Sequence, residues 1–467
     1  MNSQHLQQLK QILQPNEIIT DPDITKAYCT DQRGRYHGQV FAVVQPNTVI
    51  SIQNIMRYCH QHRIPVTPQG GNTGLCGGAT PHISVNNQGI ILSLAKLNRL
   101  RVLSYEDNTI TVEAGMVLAD LQAAAERAGR YFPLSLASEG SCQIGGNIAC
   151  NAGGLNVVRY GTTRNLVLGL EYVLANGELV SHLTPLHKNT SGYEMYQQII
   201  GSEGTLAIIT AATLKLFAPP LSTLTAWVGV ENIQSAIQLL GALKNHFAER
   251  ISSFELISAQ ALSLSATYSH LQTPTESDWH ILLELTDSIP EQNLIDPLIS
   301  VLEQGNWINT IIAQSETDRS HLWTLRENIS EAQRHLGASI KHDIAVPIEK
   351  IAEFIEDCQQ QLHQAFPQSQ TMLFGHLGDG SLHYNVFISN ILNNEVYQHE
   401  ESINKIVYES VLKYQGTIAA EHGIGQLKNQ WLPRIRTQTE MNWMRVQKQQ
   451  LDPHGILNVG KVLPFQS

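Results

Sequence analysis

The sequence predicts an α+β protein built as more than one domain, and three observations predict it. A chain of 467 residues exceeds what one ordinary hydrophobic core supports, so two or three domains are expected. Short strand-like runs are interleaved with long helical patterns on both sides of the midpoint. Between them the adjacent prolines Pro219-Pro220, in "LFAPP", can continue neither a helix nor a central strand and mark a boundary.

The elements follow in order. Residues 1–35 read as a helical lead-in. Val40 to Val44 is an apolar strand, Val49 to His60 has helical spacing, and Ile64 to Thr67 is a short strand running into a glycine loop. "GIILSL", "RVLSYEDNTITVEAG" and "VLGLEYVLANGELV" alternate and turn as strands do, with a hairpin-like turn at 175–177. "MVLADLQAAAERAGRY" is an Ala- and Leu-rich helix stopped by Gly129. Past the prolines, "LTAWVGV" and "HILLELT" read as strands, and "IQSAIQLLGALKNHF" and "EKIAEFIEDCQQQLHQAF" as helices of a second α+β domain. "DPHGILNVGKVLP" is a terminal loop.

Composition narrows the function classes. The 42% hydrophobic content is ample for sizeable cores. A net charge of -11 disfavours nucleic acid as a partner, because a phosphate-binding surface needs clustered Lys and Arg. A small anionic substrate stays open, since a basic pocket can sit inside an acidic protein. The cysteines form no C-x-x-C pair, which argues against a zinc knuckle or a redox dithiol. The N-terminal stretch lacks an apolar signal core, and no apolar run reaches 18 residues. A cytoplasmic protein is expected, with attachment to the face of the inner membrane left open.

Glycine carries the first functional signal. "PVTPQGGNTGLCGG" holds five glycines in fourteen residues, but it is neither a P-loop nor a G-x-G-x-x-G fingerprint. Alone it is better explained as a turn. A second run, "EGSCQIGGNIACNAGGLNVVRYG", and a third element, "IIGSEGTLAIIT", follow. Three such loops suit a long polar ligand that needs several backbone donors along its length.

The second signal is "FGHLGDGSLHYNVF". His376 and His383 bracket a Gly-Asp-Gly turn, and His383 and Asn385 share one face of a strand. With Glu421, from "AAEHGIG", they form two histidines and a carboxylate, a recurrent catalytic zinc set. The bland reading is surface or hydrogen-bonded core imidazoles, in a chain with 19 histidines. Upstream, Arg326 and Ser330 stand four apart on a predicted helix, so that a guanidinium and a hydroxyl on one face suit a carboxylate. Lys341 enters a strand just after them. The bland reading there is solvated charge.

Together these segments resemble the vanillyl-alcohol-oxidase (PCMH-type) FAD-binding flavoproteins with an FAD-linked oxidase C-terminal domain. The resemblance runs from about residue 36 to Pro464 and includes "GHLGDGSLH", "EHGIG" and "LDPHGILNVGK". It is closest to the D-2-hydroxyacid branch: D-2-hydroxyglutarate and D-lactate dehydrogenases and the FAD subunit of glycolate oxidase. It implies a two-subdomain FAD-binding domain over 36–217. It also implies a substrate (cap) domain over 218–467, with an antiparallel sheet and a C-terminal helical segment. The last stretch of about 50 residues would return to the FAD domain.

The resemblance also implies roles. Pro68, Gly70, Gly71, Asn72, Thr73 and Gly78 would hold the FAD pyrophosphate. Ser141, Gly145, Gly146, Asn151, Gly153 and Gly154 would line the ribityl and isoalloxazine side. Glu203 and Ile208 would meet the adenosine end or the adjoining backbone, and Asn458 would join the cofactor set. The first loop has no histidine, so non-covalent FAD is expected. A divalent metal, zinc by its donor set, would sit on His376, His383 and Glu421. Arg326, Ser330, Lys341 and Asn385 would bind substrate, and His422 would be the base. Relatives usually have Thr at 330 and Asn at 381, where this chain has Ser; the first keeps the hydroxyl, the second bears on loop positioning.

The expectation is oxidation of a D-2-hydroxy acid to the 2-oxo acid, with a 2-hydroxyglutarate-like substrate and D-lactate or glycolate as rivals. Electron-transfer flavoprotein or a quinone would take the electrons onward, and a homodimer is compatible. Two other classes compete: a zinc hydrolase on the histidines, and a non-catalytic flavin subunit of a larger complex.

Overall fold

The computed structural model describes residues 2–305, 307–389 and 392–464. The chain divides into two compact units. The first comprises Met1–Ala152, Thr162–Ala218 and His422–Ser467; the second comprises Gly153–Gly161 and Pro219–Glu421. Among the described residues no helix is long and apolar enough to cross a membrane.

The described strands of the first unit form two sheets. One contains β1 (Ile18–Ile19), β2 (Ala42–Val44), β3 (Val66–Gln69) and β4 (Ile90–Ser93) in the order β1-β2-β4-β3. β4 pairs in parallel with both β2 and β3. Parallel pairing needs a crossover, and the helix Val49–His62 between β2 and β3 provides it. That helix is capped by Thr48, buries Ile52, Ile55, Met56 and Cys59 along one stripe, and ends in left-handed backbone at Arg63. The lead-in is helical at Asn2–Ile12 and Pro22–Cys29, but β1 interrupts it to pair with β2.

The other sheet contains β5 (Leu100–Ser104), β6 (Thr109–Glu113), β7 (Val167–Val173), β8 (Leu179–His182) and β9 (Ile208–Lys215), all antiparallel. Asn176-Gly177 turns β7 into β8, with Gly177 at positive φ. The helix Leu118–Arg127 stops as its Ala-rich sequence and Gly129 predict.

The second unit is organised on a seven-stranded antiparallel sheet. Its strands are β10 (Ser222–Val230), β11 (Ile251–Ser258), β12 (Trp279–Asp287), β13 (Asn309–Ile312), β14 (Ile340–Ala345), β15 (Ser369–Gly375) and β16 (Ser381–Ile388). The order is β13-β10-β12-β11-β15-β16-β14. Residues directly opposite one another in such a sheet share a face. Ile257 opposes Phe374, Glu255 opposes Leu282, Phe374 opposes His383, and Asn385 opposes both Met372 and Lys341. These residues therefore lie on one face. Its apolar members pack with Leu322, Trp323, Leu325 and Ile329 from the helices Glu316–Glu327 and Ile329–Leu336, and with Leu262 from Ala259–Ser269. Helix Ile233–Phe247, capped by Asn232 and apolar at Ile233, Ala236, Leu240, Leu243 and Phe247, also packs on β10, β11 and β12. Truncating a core residue such as the fully buried Trp227 would cost about 3–5 kcal/mol.

Candidate functional site

In the first unit the glycine segments converge. A Cβ at Gly71 would lie 2.1 Å from the Ser141 carbonyl oxygen, so only glycine lets the first and second loops touch backbone to backbone. The buried Asn458 joins further segments: its Nδ2 donates to the carbonyls of Gly78 (2.9 Å) and Glu203 (2.6 Å), and its N–H to Val66 (2.9 Å). The terminal loop thereby ties together the end of the first glycine loop and the third element.

The second glycine run differs from a loop. Ile144–Cys150 is a helix that contains Gly145 and Gly146. Glycine's low helix propensity argues against this, but close packing overrides it: a Cβ at Gly145 would lie 2.7 Å from the Ala114 Cβ. A Cβ at Gly146 or Gly140 would meet nothing within 4 Å, so that side of the segment faces open space. Asn151 ends the helix in left-handed backbone, and its Oδ1 accepts from Arg164 N–H at 2.9 Å. Gly153 and Gly154, expected in the FAD domain, belong with 153–161 to the second unit.

Other cofactor candidates prove partly structural. Asn72 has positive φ, and its amide donates to the Thr30 carbonyl at 2.8 Å. Ile208 opens β9 opposite Val173 with its side chain buried, so only its backbone could meet a ligand. The Ser141 hydroxyl donates to the Ser138 carbonyl. Pro68 lies in β3, followed in the chain by Gly70 and Thr73, and a Cβ on Gly204 would lie 3.2 Å from its ring. Glu203 takes the N–H groups of Ile424 (2.7 Å) and Gly425 (2.8 Å) on its carboxylate, so it meets adjoining backbone. Burial raises its pKa above the ordinary carboxylate range, although those N–H groups and Lys428 and Lys461 oppose the rise.

Buried polar atoms test whether this region suits a dinucleotide. Gln143 Oε1, Ser202 Oγ and Asn458 Oδ1 are buried without a hydrogen-bond partner. Such atoms are rare unless a ligand or water completes them. With the open space at Gly140 and Gly146, the residues fit FAD.

In the second unit the histidines converge as their spacing predicts. Gly380 has φ +89°, and a Cβ there would lie 2.5 Å from the Val346 carbonyl oxygen, so the turn depends on glycine. Ser381 donates both its N–H and its hydroxyl to Asp379 Oδ1, which pins the turn. The His376 and His383 rings stand 5.8 Å apart, edge to face. One ligand atom each from His376, His383 and Glu421 lie within 4.8 Å of one another. His376 Nε2 is 3.1 Å from Glu421 Oε1, yet that oxygen is buried and makes no hydrogen bond. Two nitrogens and a carboxylate oxygen facing one another in this way fit a divalent ion such as zinc.

Three further residues complete the site, and the sequence reading missed all of them. Glu255, on β11, is fully buried. Its Oε1 accepts from His376 Nδ1 at 2.7 Å, and its Oε2 from Arg326 Nε at 2.8 Å and Nη2 at 2.7 Å. Burial would raise its pKa, but the charges of His376 and Arg326 hold it down at about 2. Burial likewise favours neutral His376, yet the Glu255 and Glu421 carboxylates hold its pKa well above the ordinary imidazole value. Asp343, opposite His383, accepts the Glu421 N–H at 3.1 Å. Gln333 accepts from Asn385 Nδ2 at 2.8 Å, and its own Nε2 is buried without a partner. A glutamate inside the apolar run "SSFELIS" and an aspartate two residues after Lys341 were the available signals.

Two expectations are corrected. Arg326 and Ser330 do not share a helix face: Asn328 separates Glu316–Glu327 from Ile329–Leu336, leaving Arg326 buried and Ser330 exposed. The Asn328 amide donates to Ser269 Oγ, a long-range contact that helical spacing does not report. One edge of the Arg326 guanidinium is also already engaged, by Glu255, so a substrate carboxylate would have to meet its Nη1 side. Lys341 lies on β14 directly opposite Asn385. His422 is the first residue of the returning segment of the first unit and follows Glu421 directly in the chain.

A glycine-lined region suited to a dinucleotide and a polar cluster of histidines, carboxylates, Arg and Lys together define a flavin-dependent oxidoreductase. Comparison with known proteins agrees. Residues 41–182 match the FAD binding domain, and residues 220–462 match the C-terminal domain of FAD linked oxidases. The chain is 34% identical to a D-2-hydroxyglutarate dehydrogenase of Stutzerimonas stutzeri, covering 98% of each protein. It is 36% identical to the mitochondrial D-2-hydroxyglutarate dehydrogenase of Bos taurus, over 96% of this chain and 82% of that one. Among solved structures, p-cresol methylhydroxylase with substrate bound superposes with a TM-score of 0.77 at 14% identity, covering 99% of this chain and 97% of that one. This likeness shows the fold. The chain belongs to the family of FAD-linked oxidases in which these D-2-hydroxyglutarate dehydrogenases stand.

Proposed function

We propose that the protein oxidises a D-2-hydroxy acid, most closely D-2-hydroxyglutarate, to the corresponding 2-oxo acid. The observation that carries this reading is the shared sheet face on which Lys341, Asn385 and His383 stand side by side, with His376 and the Arg326 guanidinium joined through Glu255. Two cationic side chains and two amides in one region suit a substrate with two carboxylates better than one with a single carboxylate. The names of the relatives favour the same substrate.

The reaction takes R–CH(OH)–COO⁻ to R–CO–COO⁻, releasing one proton and one hydride. Lys341, the Nη1 side of Arg326, and Asn385 bind and orient the carboxylates. Gln333 holds the Asn385 amide and offers its own N–H to the bound acid. His422 accepts the hydroxyl proton on an imidazole nitrogen, as a general base. His376, His383 and Glu421 hold a divalent ion, zinc by its donor set. Such an ion supplies Lewis acidity toward the 2-hydroxyl. Non-covalent FAD, held by the glycine segments and Asn458, supplies the two-electron acceptor when bound. Ser330, being exposed, is left at most a peripheral part. An acceptor such as electron-transfer flavoprotein or a quinone takes the electrons onward. Six free cysteines, five of them buried, fit the cytoplasm.

The test is anaerobic mixing of purified flavoprotein with D-2-hydroxyglutarate, D-lactate and glycolate while flavin absorbance is followed. Bleaching fastest with D-2-hydroxyglutarate is expected. No bleaching with any of the three would overturn the activity, and faster bleaching with D-lactate would overturn the substrate.

A further inference from the structure

We propose that Glu255 is a positioning residue shared by the cation site and the carboxylate pocket, an inference that rests on the roles given above to His376 and Arg326. Glu255 sits in mid-strand in an otherwise apolar run and is completely buried. A buried carboxylate persists only when it is paired and hydrogen-bonded. Here each oxygen has a different partner. Oε1 accepts the His376 Nδ1–H at 2.7 Å, while Oε2 accepts two N–H groups of Arg326 at 2.8 and 2.7 Å.

The division of the two oxygens has chemical content. With Nδ1 committed as a donor to Glu255, Nε2 is the nitrogen turned toward Glu421, 3.1 Å away. That is the nitrogen a metal would take, and a carboxylate behind a ligating imidazole fixes its ring and strengthens it as a donor. The other oxygen fixes the guanidinium, which also lies over the Phe374 ring at 4.9 Å. Both partners are donors, so Glu255 must accept on both sides. A carboxylate can do this. An amide of the same shape cannot, because its –NH₂ would face either His376 or Arg326. The same side chain thus sets the direction of one cation ligand and of one substrate-binding group.

The experiment uses the full-length flavoprotein, stripped with chelator and titrated with Zn²⁺ and with Co²⁺ as a spectroscopic probe. For Glu255→Gln we expect flavin content to be kept, Zn²⁺ affinity to fall about 10- to 100-fold, and the visible Co²⁺ bands to shift. KM for the hydroxy acid should rise in the same variant. Parental Zn²⁺ affinity and Co²⁺ bands in folded, flavin-bound Glu255→Gln protein would overturn the proposal. If that variant does not fold, Arg326→Met decides. It touches none of the three ligands, yet it should shift the Co²⁺ bands through Glu255, and unchanged bands would overturn the coupling. Failure of the parent protein itself to bind either ion overturns the metal reading, and the proposal with it. Parental binding with unaltered variants overturns the proposal alone.

Discussion

Glu203 and Ile424 stand 221 positions apart in the chain and are joined by a hydrogen bond of 2.7 Å. The neighbouring N–H, from Gly425, reaches the other carboxylate oxygen at 2.8 Å. Gly423 must be glycine beside them: it has φ +74°, and a Cβ would lie 2.8 Å from Glu203 Oε1. The clasp anchors the return segment that begins at His422.

For Glu203→Gln we expect the loss of one of the two bonds, because the amide presents an –NH₂ where an acceptor is needed. A charge-assisted bond of this kind contributes about 2 kcal/mol. Urea unfolding should show that loss, and substrate-driven flavin reduction should slow with it. An unchanged unfolding midpoint would mean the clasp contributes nothing.

His422→Ala should keep bound flavin and lose about 10²- to 10⁴-fold in the rate of anaerobic reduction. Stopped-flow absorbance measures it. Near-normal reduction would remove His422 from the mechanism.

Lys461 supplies a pH signature of the first unit. Burial lowers its pKa to about 7, although Glu203 opposes the shift. An unfolded lysine titrates at about 10.4. Between these values the unfolded chain binds more protons than the folded one, so this lysine makes stability rise with pH from about 7 to about 10. Below about 7 both states carry the proton and the slope vanishes. The slope is at most about 1.4 kcal/mol per pH unit. Lys461→Met should flatten it, as chemical unfolding at a series of pH values will show; equal slopes in parent and variant would contradict the assignment.

Gln333→Leu removes the one donor of this amide that has no partner and strands Asn385 Nδ2. KM for D-2-hydroxyglutarate should rise about tenfold, the effect of about 1.4 kcal/mol in binding, with flavin content unchanged. Steady-state kinetics with a dye acceptor separates KM from kcat. A parental KM would place Gln333 outside the pocket.

Much of this molecule can be read from its residues wherever the signal is local. Gly129 as a stop and the turn at Asn176-Gly177 each act within a few positions, and the helix and hairpin follow. His383 and Asn385 share a face because strand geometry alone requires it. What escaped depends on distant partners. Gly145 sits in a helix because Ala114 demands a bare backbone there. Asn328 breaks the helix that would have aligned Arg326 with Ser330. Glu255 meets Arg326 and His376 across 71 and 121 positions, and no periodicity reports such a pairing.

The closing loop has a consequence for biosynthesis. Leu457 makes a parallel bridge to Val66, and Asn458 holds the carbonyls of Gly78 and Glu203. A nascent chain that has reached residue 420 has already made every glycine-rich segment, yet lacks the strap that locks them together. The tie between the closing loop and the glycine segments therefore forms only after residues 457 and 458 have been made. Premature stop codons between positions 422 and 457 should give colourless protein even though every segment upstream has been translated.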